Sequence, residues 1–342
     1  MRYQAPNAVP VLEVDHLVKH FPVKGGFFGR ERRVVRAVDN VSWSIPEGSS
    51  LGLVGESGCG KSTTARLVLK LEEPTGGVIR FLGRTLNSLD AAAVRDYRKS
   101  VQAVFQDPYA SLNPRMRVDE IIMEPLVTNE TVSKPEVRTR VERLLELVGL
   151  PRRSADLFPH EFSGGQRQRI AIARALSLSP KLIVLDEPVS ALDVSIRAQI
   201  LNLLTDLQQQ LKLSYLFIAH DLAAVAHMSQ AIAVMYLGRI VEIGDAATIA
   251  ADPKHPYTQA LFSAALPAHP DEIREEVLVT GEVPSPIAPP SGCRFHPRCP
   301  HAMPKCSVEE PQLQSLGRRD VACHLFDDAD APLATATRTQ LT

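Results

Sequence analysis

The octapeptide Gly55-Glu56-Ser57-Gly58-Cys59-Gly60-Lys61-Ser62 constrains the fold more than any other feature of this chain. It fits the pattern G-x-x-x-x-G-K-[ST] and lies between the apolar run Leu51-Gly52-Leu53-Val54 and a helix-like run from Ser62 to Leu69. Strand, glycine loop and helix are the order a phosphate-binding loop needs. Its backbone N–H groups close around phosphate oxygens where no Cβ intervenes, at the positive end of a helix. Lys61 is then expected to reach the β- and γ-phosphates of a nucleotide, and the Ser62 hydroxyl to ligate Mg²⁺, with Thr63 beside it. Cys59 contributes its backbone, and its thiol is given no role.

Two domains are expected from 342 residues, a large core and an appendage. With 44% hydrophobic and 23% charged residues the chain can bury a core, and its net charge of −1 gives no electrostatic reason to expect nucleic acid as a partner. The longest stretch free of Asp, Glu, Lys and Arg, Leu222 to Gly238, is 17 residues and contains His227, Ser229 and Gln230, too short and too polar for a spanning helix. Glu13 and Asp15 interrupt the N-terminus where a signal peptide needs an apolar run, so a cytosolic chain is expected.

From about Val11 to Asp245, short apolar runs alternate with helical periodicity, the pattern of an α/β layered domain. Leu51 to Val54, Leu182 to Leu185 and Tyr215 to Ala219 read as central parallel strands buried on both faces. Ser133-Lys134-Pro135-Glu136 predicts a capped helix start, ended by Gly149-Leu150-Pro151; Ile200, Leu203, Leu204, Leu207 and Leu211 predict a second amphipathic helix. Six prolines between Pro284 and Pro300 exclude regular helix or sheet there, and residues 326–342 read as a frayed tail.

Leu182-Ile183-Val184-Leu185-Asp186-Glu187 looks like the matching Walker B strand, with Asp186 for Mg²⁺ and Glu187 to accept a proton from, or orient, the attacking water. Phe162-Ser163-Gly164-Gly165-Gln166 lies between the two sites, 23 residues before Asp186 when counted from Ser163, and it resembles the signature motif of ATP-binding cassette (ABC) ATPases. Gln106 fits that family's Q-loop, Ser190-Ala191-Leu192-Asp193 its D-loop and His220 its switch histidine. The resemblance covers about Val11 to Leu325. It implies a P-loop NTPase fold of the ABC type over residues 11–250, with a helical signature subdomain at about 107–178 and a small Cys/Pro-rich C-terminal extension over 251–325. It also implies a head-to-tail dimer with a second ABC ATPase subunit, a copy or a paralogue. ATP is held between one subunit's P-loop and the other's signature, where Ser163 and Gly165 donate to the γ-phosphate. Gln106 senses Mg²⁺ and the attacking water, His220 holds Glu187 and that water, and Phe21 is the match for the aromatic that stacks on adenine. Phe21 is equally readable as core, because Lys24 to Arg33 looks like an insertion beside it.

Phe105-Gln106-Asp107-Pro108-Tyr109-Ala110-Ser111-Leu112-Asn113-Pro114, the later His255-Pro256-Tyr257 and the cysteine cassette resemble the ATP-binding subunits of oligopeptide and dipeptide importers. That resemblance implies a permease-docking surface from Gln106 to Arg117, two transmembrane permeases, an external solute-binding protein reached indirectly, and a peripheral position on the cytoplasmic face of the inner membrane. Its alternatives are an importer ATPase for nickel chelates or other small solutes, and a soluble ABC ATPase not coupled to transport. Cys293, Cys299, Cys306 and Cys323 lack a C-x2-C knuckle, and an odd total of five cysteines argues against disulfides. Such a set can bind Zn²⁺ or a [4Fe–4S] cluster, or remain free thiols. The family resemblance favours the cluster. Arg294, Arg298 and Lys305 are expected to support thiolates there, and the cluster to staple the extension.

Overall fold

A computed structural model describes residues 10–23, 33–130, 132–264 and 281–327. In chain order these form β1 (Pro10–Pro22), β2 (Val34–Pro46), β3 (Ser50–Val54), α1 (Lys61–Val68), β4 (Gly76–Phe81), β5 (Arg84–Thr85), α2 (Ala91–Ser100), β6 (Val101–Val104), α3 (Pro108–Ser111), α4 (Val118–Asn129), α5 (Lys134–Leu147) and α6 (Gly164–Leu176). There follow β7 (Leu182–Asp186), α7 (Val194–Leu211), β8 (Ser214–Ile218), α8 (Leu222–Met228), β9 (Ala231–Tyr236), β10 (Arg239–Asp245), α9 (Ala246–Ala251), α10 (Pro256–Ser263), β11 (Gln314–Leu316) and β12 (Arg319–Val321).

The strands form an eight-stranded sheet ordered β11-β12-β10-β9-β3-β8-β7-β6 and a four-stranded antiparallel sheet ordered β2-β1-β4-β5. From β6 to β9 the large sheet is parallel. β3 and β8 are buried at every residue, as continuous apolar strands inside a layered sheet must be. Successive side chains point to opposite faces: Leu182 and Val184 join Leu12, Trp43 and Val68 on the side of the small sheet, while Ile183 and Leu185 join Ile170, Leu204 and Val225 on the side of the helices.

Parallel strands end at one edge. Val54, Val104, Asp186 and Ile218 are the last residues of β3, β6, β7 and β8, and they pair in register as Val104 with Leu185 and Asp186 with Ile218. The four segments that follow them are therefore neighbours at the carboxyl edge, where open α/β sheets bind ligands.

Local expectations hold unevenly. In α7, Ile200, Leu204 and Leu207 are buried and Leu211 is exposed at the C-terminal end. Ser133 does cap α5, but its side chain makes no capping hydrogen bond, so the expected box is not closed. The box closes instead at α6: Gln166 N–H donates to Ser163 Oγ at 3.4 Å and Ser163 N–H to Gln166 Oε1 at 3.0 Å, which starts that helix at Gly164.

Residues 281–327 do not stand apart. β12 pairs antiparallel with β10, Glu242 opposite Val321, and β11 extends the sheet by one more strand. Buried Phe295 inserts among Tyr236, Tyr257 and His255 with ring centroids 5.3 to 5.7 Å apart, a burial that contributes roughly 1.5–3 kcal/mol. Residues 24–32 of the Lys24–Arg33 segment, and residues 328–342 of the tail, lie outside the described residues.

Candidate active site

The loop between β3 and α1 owes its shape to two glycines. Gly60, with φ of 115°, caps α1 in a conformation that side chains rarely adopt, and a Cβ there would stand 2.1 Å from the Ala37 carbonyl oxygen. A Cβ on Gly55 would stand 2.1 Å from the Met235 carbonyl oxygen. Both positions need the close backbone approach that only glycine permits. Lys61 folds back over the loop, and its Nζ donates to the Gly55 carbonyl at 2.6 Å and the Glu56 carbonyl at 3.0 Å. Buried Cys59 lies 3.7 Å from that Nζ, its thiol pushed up by burial and so held neutral.

Above the loop is a cavity of about 300 Å³. Ser57, Gly58, Gly60, Lys61, Ser62 and Thr63 form its floor, Phe21, Val35 and Ala37 one wall, and Glu187 and Pro286 the rest. Phe21 is therefore half-buried in the cavity wall opposite its β-partner Val35, with Lys19 Nζ 4.8 Å from its ring centroid, and it is not core.

The acidic side is built at the ends of β7 and β8. Burial, reinforced by the neighbouring Glu187, raises the Asp186 pKa, against the pull of Lys61 and Arg66. Glu187 adopts a left-handed φ of 51°, with its N–H donating to the Ile218 carbonyl at 2.8 Å. A non-glycine residue there stores on the order of 1–3 kcal/mol of strain, and the conformation turns its carboxylate into the cavity wall. Its Oε2 lies 3.4 Å from Nδ1 of His220, whose side chain is 60% exposed. Gln106 follows β6 at the same edge, exposed and off the cavity wall.

The remaining sequence-predicted residues are not brought to the cavity. Ser163, Gly164, Gly165 and Gln166 open α6, with Ser163 and Gln166 exposed; a Cβ on Gly165 would meet Ile196 Cγ2 at 2.4 Å. Asp193 is exposed at the N-terminus of α7. Within a single chain the Ser-Gly-Gly helix start thus does not line the cavity over the phosphate loop.

Three contacts to the loop region carry no signal in the sequence. Tyr257 Oη accepts the Glu56 N–H at 2.7 Å, and Arg298 grips the Glu56 carboxylate through two nitrogens at 2.9 and 3.2 Å. The Pro286 carbonyl accepts the Arg36 N–H at 3.2 Å, on the strand that walls the cavity. Each partner lies far off in the chain, and no local spacing signals such a pair.

The cysteine segment departs from expectation. Arg294 pairs with Asp39 and donates to the Leu237 carbonyl, Arg298 pairs with Glu56, and Lys305 lies 2.6 Å from Asp327. These cations are taken by carboxylates and not by thiolates, and ion pairs together with Phe295 hold the segment to the core. Burial pushes the Cys293 thiol up to about 11 and the Cys323 thiol up to about 12, and raises Cys299. All five cysteines are free, and among the described residues no group of three or more His, Cys, Asp or Glu is arranged to hold a metal ion. The expected ready-made ligand set for a [4Fe–4S] cluster or Zn²⁺ is not formed by the side chains as placed. Even so, the Cys293 N–H donates to the Cys306 carbonyl at 2.8 Å, which brings two of the four cysteines together. The backbone N–H groups of Phe295 and His296, of His301 and of Leu325 oppose the rise due to burial at Cys293, Cys299 and Cys323 without overcoming it.

Comparison with known proteins agrees with this geometry. Residues 38–190 match the ABC transporter family, and residues 241–306 match the oligopeptide/dipeptide transporter C-terminal region. The chain is 50% identical over 323 residues to the dipeptide transport ATP-binding protein DppF of Escherichia coli, covering 94% of this chain and 96% of the relative. It is 50% identical over 322 residues to the oligopeptide transport ATP-binding protein OppF of Salmonella typhimurium, covering 93% and 96%. Among solved structures it resembles a dimeric post-hydrolysis state of the ATP-binding cassette MJ0796 bound to ADP and Pi, with a TM-score of 0.60 and 28% identity over 69% of this chain and 98% of that one. The chain is an ATPase of the ABC transporter family, in the group that carries the oligopeptide/dipeptide transporter C-terminal region.

Proposed function

We propose that this chain is the ATP-hydrolysing subunit that powers peptide import through a membrane ABC transporter. The observation that carries the reading is the convergence of Lys61, Glu187 and the glycine loop on one cavity, with Asp186 and His220 on the adjoining strand ends. The names of the 50%-identical relatives support peptides, dipeptides or oligopeptides, as the cargo.

In this reading the loop N–H groups and Lys61 hold the β- and γ-phosphates, Lys61 exchanging its two carbonyl partners for phosphate oxygens. Ser62 and Asp186 would hold Mg²⁺, which would supply charge neutralisation to the phosphates; a half-buried carboxylate whose pKa burial raises gains from a cation beside it. Phe21 stacks on the adenine. Water attacks the γ-phosphorus as the bond to the β–γ bridging oxygen breaks, and ADP and phosphate leave. Glu187 takes the water's proton, and His220, within reach of its carboxylate, keeps it aimed. Gln106 stands where it can follow the arrival of the nucleotide from the end of β6.

Ser163, Gly165 and Asp193 serve a second cassette, a copy or a paralogue, in a head-to-tail dimer. Their absence from the cavity lining of their own chain supports this, as does the dimeric state named for the similar MJ0796 structure. The exposed Phe105 and Tyr109 around Gln106 form the surface offered to two permeases, which a solute-binding protein supplies. No helix among the described residues is long and apolar enough to cross a membrane, and the reading places the chain on the cytoplasmic face of the inner membrane. Residues 11–250 are taken as the ATPase domain, 107–178 as its helical subdomain and 251–325 as the transporter-type extension. The test is uptake of radiolabelled dipeptide and of radiolabelled nickel by cells carrying Lys61→Ala in this chain. Loss of peptide uptake alone is expected, and loss of nickel uptake alone overturns the cargo assignment.

A second reading concerns the four cysteines. Burial raises the thiols of Cys293, Cys299 and Cys323, nearby backbone N–H groups work against that rise, and a bound metal would supply the charge that deprotonation needs. A [4Fe–4S] cluster held by Cys293, Cys299, Cys306 and Cys323 is the proposed occupant. Anaerobic purification with iron, zinc and sulfide analysis tests it; stoichiometric zinc without iron assigns the site to zinc.

A further inference from the structure

Glu56, the second residue of the phosphate loop, is held from three sides. Its N–H donates to Tyr257 Oη at 2.7 Å, and its carbonyl accepts Lys61 Nζ at 3.0 Å and the Cys59 N–H at 3.2 Å. Its carboxylate receives both terminal nitrogens of Arg298, at 2.9 and 3.2 Å. Tyr257 and Arg298 lie 201 and 242 positions further along the chain, outside the strand–loop–helix unit that forms the loop.

Arg298 is itself fixed. Its side chain is 9% exposed, and it donates to Tyr236 Oη at 3.4 Å. Tyr236 packs against Tyr257 with centroids 4.7 Å apart, and both pack against Phe295. Burial opposes the guanidinium charge, but the hydrogen bonds to Glu56 and Tyr236 prevail and hold its proton above the ordinary arginine range. A planar two-pronged pair with a buried base fixes direction as well as charge.

Two consequences follow for a bound polyphosphate. The orientation of the Glu56 peptide sets the carbonyl on which Lys61 rests and the direction of the N–H groups that follow it. The Glu56 carboxylate is also a negative charge beside the floor of an anion site, and without a counterion it repels the phosphates. We propose that Arg298 is a positioning residue for nucleotide binding: it orients the loop through Glu56 and cancels the charge of that carboxylate, with Tyr257 as the second arm of the clamp. The inference rests on the reading of Gly55 to Ser62 as the phosphate loop. It makes the affinity of the cassette for ATP depend on the docking of the cysteine-bearing segment, because Arg298 immediately precedes Cys299.

The test uses the full chain purified with its membrane partners, with steady-state hydrolysis against MgATP and equilibrium titration with the fluorescent analogue TNP-ATP. Arg298→Met is expected to raise KM and the TNP-ATP Kd about tenfold with kcat within twofold, and Arg298→Lys, which keeps the charge and loses the fork, about threefold. In a Glu56→Gln background the same substitutions are expected to change KM less than twofold further. An unchanged KM in Arg298→Met overturns the proposal, as does an undiminished effect in the Glu56→Gln background, which would place the action of Arg298 elsewhere. Should Arg298→Met not accumulate folded, the comparison of Arg298→Lys with Glu56→Gln/Arg298→Lys decides in the same way. Lys61→Ala is the control: loss of TNP-ATP binding leaves the outcome to Arg298, and undiminished binding overturns the phosphate-loop reading beneath it.

Discussion

Glu187 Oε2 stands 3.4 Å from His220 Nδ1, across the adjoining ends of β7 and β8. The pair exists because Asp186 is in register with Ile218, which sets the residues beyond each strand side by side. Glu187→Gln keeps the shape and removes the base. Hydrolysis is expected to fall about 10²–10⁴-fold, the usual share of general base catalysis, while TNP-ATP binding persists. Retention of a tenth or more of the wild-type rate would remove Glu187 from this role.

Gly60→Ala places a methyl group 2.1 Å from the Ala37 carbonyl oxygen in a backbone of φ 115°. Strain of that kind amounts to about 1–3 kcal/mol, and the clash adds to it. A lower urea midpoint together with lost TNP-ATP binding is the expected outcome. A midpoint equal to wild type would show that the loop relaxes without cost.

Glu242 is fully buried, accepts the N–H groups of Lys254 and His255 at 3.1 and 2.9 Å, and pairs with Arg319 at 3.4 Å. Arg319→Met leaves that carboxylate without its cation. Breaking a buried pair this way costs about 3–5 kcal/mol. Denaturant unfolding is expected to show a loss in that range, and a Glu242→Gln/Arg319→Met double variant to recover part of it. Simple addition of the two single losses would contradict the pairing.

His255 is enclosed, with its pKa lowered to about 3 by burial, and its Nδ1 accepts the Tyr257 N–H at 3.0 Å. Between pH 3 and about 6.5 the unfolded chain therefore binds a proton that the folded chain refuses. The contribution is whole above about pH 6.5 and declines by up to about 1.4 kcal/mol per unit as pH falls through that window. Unfolding free energies from pH 7.5 to 5 are expected to show this slope, and His255→Asn to flatten it. An identical slope in the variant would assign the loss to other groups.

What was legible in the sequence and what was not divide along a physical line. Lys61, Asp186, Glu187, Gln106 and His220 each follow a short apolar run, so strand, turn and chemistry are written in adjacent residues. The parallel register then brings them to one edge without further instruction. Phe21 is ambiguous in the sequence because core and wall positions share one strand pattern, and its place in the cavity wall is what decides. Arg294 and Arg298 have cysteines as neighbours in sequence, whereas their partners, Asp39 and Glu56, are more than 240 positions away. Charge complementarity over such distances leaves no local trace.

Purification of this chain from its native membranes in mild detergent, with mass spectrometry of the proteins and small molecules that come with it, tests the transport function most directly. Two integral-membrane permeases, a second cassette and peptide carried by a binding protein are expected. Ribosomal or DNA-associated proteins in their place, with no permease, would contradict the transport function and leave only the ATPase.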